Sequence, residues 1–218
     1  MKLLNNNSNK TKTDYLPIWI YIGIIFGISF IMGFITIIFN LSNDSLIYAE
    51  IISEAIIFII FIILYHKRLK QDFKKLTKKD LLYIITISII LIGLNFVLSN
   101  IFEKLNVNMT NQNSLNNMFI NNKLLMTFYI TLLAPVIEEI VFRYSIDTAC
   151  KNNLLFLILS TVIFAIMHGI GIVTILYLLI GFGLSYSYLK SNRNIIVPIF
   201  IHMLNNIFSI ITMYLTLK

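Results

Sequence analysis

LPIWIYIGIIFGISFIMGFITIIF, residues 16–39, contains no charged side chain. About 20 residues of helix are enough to cross the hydrocarbon core of a bilayer, so this run reads as a membrane span. It is too long for the apolar core of a cleaved secretory signal, and no small-residue cleavage site follows it. It is therefore expected to stay in place as the first span. Pro17 suits the first helical turn, where its missing N–H would have no partner anyway, and Trp19 suits the headgroup level as an interface anchor.

The same pattern recurs along the chain. Further apolar segments run from about 45 to 65, 81 to 102, 123 to 146, 154 to 169, 172 to 189 and 195 to 217. With 58% hydrophobic and only 12% charged residues in 218, little more than tails and loops lies between them. The expected fold is all-α: a polytopic membrane helix bundle of about seven transmembrane helices, in a single domain over residues 1–218. Gly169-Ile170-Gly171 marks a tight turn between the fifth and sixth spans, since glycine adopts backbone angles that other residues avoid. The lone Cys150 excludes an internal disulfide and a cysteine-based zinc cage, and reads as a small buried hydrophobe.

A net charge of +7 would suit a nucleic-acid partner if the basic residues formed a patch, but they are confined to the ends and to short loops between apolar runs. That distribution describes membrane topology, so the bilayer rather than nucleic acid is the expected partner. Placing the N-terminus in the cytoplasm collects Lys2, Lys10, Lys12, Lys67, Arg68, Lys70, Lys74, Lys75, Lys78, Lys79, Arg143, Lys151, Lys190 and Arg193 on one side. Only Lys104, Lys123 and Lys218 fall opposite. The positive-inside rule then gives a multi-pass protein of the cell membrane with an external C-terminus.

The basic loop from His66 to Asp80 carries Leu69, Phe73 and Leu76 between its charges; it lies along anionic headgroups or simply sets topology. The Asn-rich stretch from Glu103 to Asn122 reads as a mobile connector. Gly181 and Ser185 present a small-x-x-x-small face in the sixth span, with Tyr186 and Tyr188 as interface anchors at its basic end. No internal repeat or inverted half is evident, which weakens a transporter reading.

Ionisable residues inside a span are costly and call for a partner or a function. Here they are Glu50 and Glu54 in span two, Glu138, Glu139 and Arg143 in span four, His168 in span five, and His202 in span seven beside Asn205 and Asn206. In Glu138-Glu139-Ile-Val-Phe-Arg143, residues four apart share a helical face, so Glu139 can pair with Arg143. Glu138 is turned about 100° away and keeps its carboxylate for chemistry. A purely structural ion network of all three is the competing reading. Phe164-Ala-Ile-Met-His168 places an imidazole near the end of an apolar helix, and His202-Met-Leu-Asn-Asn206 sets an imidazole and a carboxamide on one face. Alone, His168 reads more readily as a packing residue, and His202 with Asn206 as a bridge between helices. Pro135, one turn before Glu138, frees a carbonyl and kinks the span, either toward the site or for packing alone.

Together the three clusters resemble the motifs of the CPBP family, the CAAX proteases and bacteriocin-processing enzymes also called the Abi family. Its pattern is Glu-Glu-x-x-x-Arg, then Phe-x-x-x-His, then His-x-x-x-Asn on successive or late spans. Here these stand in order at Glu138-Glu139-x-x-x-Arg143, Phe164-x-x-x-His168 and His202-x-x-x-Asn206. The resemblance covers about residues 123–210 as a catalytic core and implies an intramembrane endopeptidase similar to type II CAAX prenyl endopeptidases. By that analogy Glu138 and His168 activate the attacking water, and His202 and Asn206 stabilise the oxyanion. Glu138, His168 and His202 also offer the two imidazoles and carboxylate that suit catalytic zinc, but no His-Glu-x-x-His motif is present. Water activation with and without a divalent metal both remain open.

The implied substrates are membrane-associated: prenylated C-termini, or peptide leaders and bacteriocin precursors. Two readings compete with the peptidase. One is a non-catalytic bacteriocin self-immunity or scaffolding membrane protein that keeps the motifs as a polar network. The other is a small transporter using Glu50 and Glu54, which share a face of span two but have no basic partner there.

Overall fold

A computed structural model describes residues 14–40, 44–107 and 110–217. The described residues form a bundle of helices: α1 Leu16–Phe39, α2 Asp44–Lys74 and α3 Lys78–Lys104, then α4 Thr110–Asn121 and α5 Lys123–Ala149, and finally α6 Asn153–His168, α7 Thr174–Lys190 and α8 Ile196–Thr216. No strand occurs among them. All seven predicted apolar segments are helical. Among the described residues four helices, α1, α3, α5 and α8, are long and apolar enough to cross a membrane by length and composition. With 16 and 17 residues, α6 and α7 fall short of the roughly 20 needed for a full crossing. They form a hairpin whose apex is the predicted Gly169-Ile170-Gly171 turn, where Gly171 has φ +108°. His168, the last residue of α6, therefore sits at the tip of that hairpin.

The site-bearing helix α5 lies at the centre. Ile137, Ile140 and Phe142 of α5 join Ile57 and Phe61 of α2, Phe156 and Phe164 of α6, Leu184 and Tyr188 of α7, and Val197 and Ile201 of α8 in one buried apolar cluster. The large side chains that remain exposed, among them Phe26, Phe30 and Phe34 of α1, point outward, as a bundle surrounded by hydrocarbon requires.

Three expectations need correction. Residues 66–74 are not a loop; they continue α2 as helix to Lys74, and α3 begins after Thr77. The turn is enforced by a capping box, in which Thr77 N–H donates to Asp80 Oδ2 at 2.9 Å and Asp80 N–H to Thr77 Oγ1 at 3.2 Å. The stretch Glu103–Asn122 is not an irregular connector. Within it α4 buries Met118 and Phe119 in a second apolar cluster with Ile51, Met126, Ile130, Ile210 and Met213. Tyr188 is no interface anchor either, for it is buried against Phe156.

At the end of the bundle that carries most of the basic residues, buried charges tie the helix ends together. Arg193, in the turn before α8, donates to Asp147 Oδ2 at 2.7 Å and to Asn153 Oδ1 at 2.6 Å. Arg68 of α2 donates to Asp72 at 2.6 Å and to the Arg193 carbonyl at 2.7 Å. These contacts hold α2, α5, α6 and α8 in register and so set the relative positions of the side chains that α5, α6 and α8 project deeper in the bundle.

Candidate active site

Helix α5 is not a uniform α-helix. It is widened into π-helical turns at Tyr129–Leu133 and Ile140–Ser145, on either side of Ala134–Glu139. Such insertions recur at functional sites, and the first has a local cause. The N–H of Ala134 bonds to the carbonyl of Tyr129, five residues back. In that register the carbonyl of Ile130 would receive the N–H of residue 135, which is Pro135 and has none. The freed carbonyl is taken instead by Asn206 of α8, whose Nδ2 donates to it at 2.8 Å. In the second π-turn, the Phe142 carbonyl accepts from Ser160 Oγ of α6 at 2.7 Å. The irregular backbone of α5 is thus stitched to the two helices that carry the histidines.

Glu139 and Arg143 form the predicted pair. Arg143 Nε lies 3.1 Å from Glu139 Oε2, an ion-pair contact rather than an aligned hydrogen bond, and both side chains are fully buried. The guanidinium also stands 4.4 Å over the Phe164 ring and contacts the Gly181 carbonyl at 3.4 Å. The other carboxylate oxygen of Glu139 does something the helical spacing does not indicate: it accepts from His202 Nδ1 at 2.9 Å. Since a carboxylate only accepts, the proton of this bond belongs to Nδ1, and Nε2 of His202 faces the other way.

His168 is fixed by the same logic. Its Nδ1 lies 2.8 Å from the Phe164 carbonyl, which can only accept, so the ring presents Nε2 to the site. Both Nε2 atoms converge on one oxygen, Glu138 Oε2, at 3.4 Å from His168 and 4.0 Å from His202. Glu138 and His168 are mostly, but not completely, shielded. Neutral His168 Nε2 and the carboxylate oxygen are both acceptors, and Glu138 Oε2 has no hydrogen-bond donor of its own. What satisfies such a pair is a proton donor placed between them, and a water molecule is the smallest that can donate to both at once.

The structure thus brings Glu138, His168 and His202 together, with Glu139 and Arg143 behind His202 and Asn206 one step away on the Ile130 carbonyl. Glu54 is buried in α2, while the side chain of Glu50 lies outside the described ones. A separate cavity of about 430 Å³ opens at the basic end, lined by Arg68, Asp72, Lys75, Asp80, Lys190 and Asn194 among others. It includes none of the motif residues.

Two Nε2 atoms and a carboxylate oxygen are donor types that zinc accepts, and each ring is oriented through its other nitrogen, as in zinc sites. The spacing does not match: among the described residues no group of three or more His, Cys, Asp or Glu side chains is arranged to hold a metal ion.

Comparison with known proteins bears on the same stretch. Residues 120–208 match the family model of Rce1-like type II CAAX prenyl endopeptidases. A Bacillus subtilis (strain 168) protein named "Putative membrane peptidase YdiL" is 38% identical over 90 residues, which is 40% of this chain and 36% of that protein. The chain thus spans little more than a third of the curated relative it matches. No solved structure matches. The matched stretch holds all three motifs, and with them the convergent site.

Proposed function

We propose that this protein is an intramembrane endopeptidase that hydrolyses peptide bonds in membrane-associated substrates. The observation that carries the reading is the convergence of His168 Nε2 and His202 Nε2 on Glu138 Oε2, within a stretch that matches a peptidase family.

In the chemistry that follows, a water molecule donates to Glu138 and His168 and attacks the scissile carbonyl carbon. Its proton passes to the Glu138–His168 pair, which later delivers it to the amine as the C–N bond breaks. The negative charge that develops on the carbonyl oxygen is met by His202 and Asn206. For His202 to donate from Nε2 while Nδ1 donates to Glu139, the ring must carry both protons, and the Glu139 carboxylate compensates that charge. Asn206 has two amide hydrogens, and Ile130 uses one of them. Glu139 and Arg143 act through His202 and do not touch the substrate. In this reading the side chains activate water without a metal.

The substrate class is a prenylated C-terminus or a peptide leader held at the bilayer. The orientation we favour keeps the N-terminus in the cytoplasm, with the hydrophilic end of the site reached from that side. The α6–α7 hairpin begins and ends at the basic side, so its short helices leave the count of crossings on which the orientation rests unchanged. Incubating the purified, liposome-reconstituted protein with a prenylated C-terminal peptide and a panel of leader peptides tests the reading. Products are mapped by mass spectrometry, with His168→Ala as control. Cleavage of one class, lost in the variant, supports it; no cleavage of any class, or equal cleavage by the variant, contradicts it.

A further inference from the structure

Helices α6 and α7 run antiparallel and meet through residues four apart on both. Along α6 these are Ser160, Phe164 and His168; along α7 they are Ser185, Gly181 and Tyr177. Ser160 Oγ and Ser185 Oγ are 2.8 Å apart. One turn on, Gly181 makes room for Phe164: a methyl group at 181 would stand 3.0 Å from Phe164 Cδ1 and 3.2 Å from the Thr161 carbonyl oxygen. One turn further, the ring of Tyr177 lies on the imidazole of His168, centroids 5.0 Å apart and planes inclined by 34°. Phe164 also packs on the imidazole, centroids 4.2 Å apart and planes inclined by 33°. His168 is therefore held against two aromatic rings while Nδ1 is tied to the Phe164 carbonyl at 2.8 Å. Of these restraints the carbonyl and Phe164 come from its own helix. Tyr177 is the ring that comes from the neighbouring helix, and it bears on an imidazole at the end of its own helix, followed by Gly169.

We propose that Tyr177 is a positioning residue for His168: its ring packs on the imidazole from the neighbouring helix and keeps Nε2 aimed at Glu138. The assignment extends the peptidase reading, on which its kinetic consequence rests. The stacked ring acts through contact area and plane, so phenylalanine serves in its place and an aliphatic residue does not. A loosened imidazole loses orientation rather than substrate affinity, so kcat falls by about 10- to 100-fold while KM changes little.

The test compares wild type with Tyr177→Phe and Tyr177→Leu in two measurements. Carbethoxylation of His168 by diethyl pyrocarbonate, mapped by mass spectrometry with the exposed His66 as internal reference, needs no turnover. It should rise at least severalfold in Tyr177→Leu and stay at the wild-type level in Tyr177→Phe. Kinetics on a cleaved peptide should show the kcat loss for leucine and less than about a twofold change for phenylalanine. Unchanged His168 labelling in Tyr177→Leu overturns the assignment, as does a phenylalanine variant as impaired as the leucine one. If Tyr177→Leu fails to fold, Tyr177→Met, a flexible side chain without a ring, takes its place under the same criteria. A wild-type protein that cleaves nothing would count against the peptidase reading alone, since the labelling result stands without it.

Discussion

The carboxamide of Asn206 donates to the carbonyl of Ile130 across 2.8 Å, and that carbonyl is free because the residue five positions on is Pro135. This couples a proline in α5 to an amide in α8. Asn206→Ala should destabilise the protein by about 1–3 kcal/mol, the usual cost of leaving a buried polar group unsatisfied. In a Pro135→Ala background an N–H returns at 135, the carbonyl regains a backbone partner, and the same substitution should cost less. A double-mutant cycle on thermal or denaturant unfolding in detergent should report a coupling of about 1 kcal/mol. Additive effects would separate the proline from the amide.

The pair Glu139–Arg143 is fully buried, and His202 leans on it. Arg143→Leu leaves the Glu139 carboxylate without its main counter-charge and should destabilise by about 3–5 kcal/mol. Removing both charges, as Glu139→Leu with Arg143→Leu, should recover much of that stability, because the desolvation cost vanishes with the attraction. Activity should not recover with it, since His202 then loses its Nδ1 partner. Unfolding midpoints and turnover measured on the same preparations check both halves.

Much of the site was legible in the sequence because helical spacing encodes faces. Glu139 and Arg143, four apart, pair as expected, and Glu138, one residue earlier, points elsewhere. The link from His202 to Glu139 was not legible: it joins helices 63 residues apart in sequence, and no local periodicity specifies which oxygen an imidazole on another helix will meet. Tyr177 was hidden for a related reason. The small face of Gly181 and Ser185 was visible, and Tyr177 stands one turn before it, but an aromatic near the end of an apolar span looks like any packing residue until the neighbouring helix is in place.

The fold was legible wherever hydrophobicity is continuous. It was obscured at α4, where Asn-rich composition masked a helix whose signal is only Leu115, Met118 and Phe119 at spacings of three and four. The end of α2 was obscured as well. There the charges read as loop although Asp72 is buried, accepting from Arg68 and from the N–H of Ile195.

A metal-free mechanism makes a direct prediction. Incubation with EDTA or phenanthroline, followed by removal of the chelate, should leave the rate of peptide cleavage unchanged, and the purified protein should carry far less than one equivalent of zinc. Loss of activity restored by added zinc would show that Glu138, His168 and His202 close around an ion.

The orientation can be checked with single cysteines, since Cys150 is the only native one and is buried. In a Cys150→Ser background, Lys104→Cys should react with a membrane-impermeant maleimide in intact cells. Lys70→Cys, on the extension of α2, should react only after permeabilisation. The reverse pattern would invert the topology and place the site's hydrophilic approach outside the cell.

Glu138→Gln addresses the chemistry most directly, because it keeps size and shape while removing the base. The peptide panel should be hydrolysed by the wild-type protein and about 10²- to 10⁴-fold more slowly by the variant, with unfolding stability changed by less than about 1 kcal/mol. Cleavage by the variant at the wild-type rate, from a protein equally well folded, would contradict the assignment of Glu138 as the group that activates water.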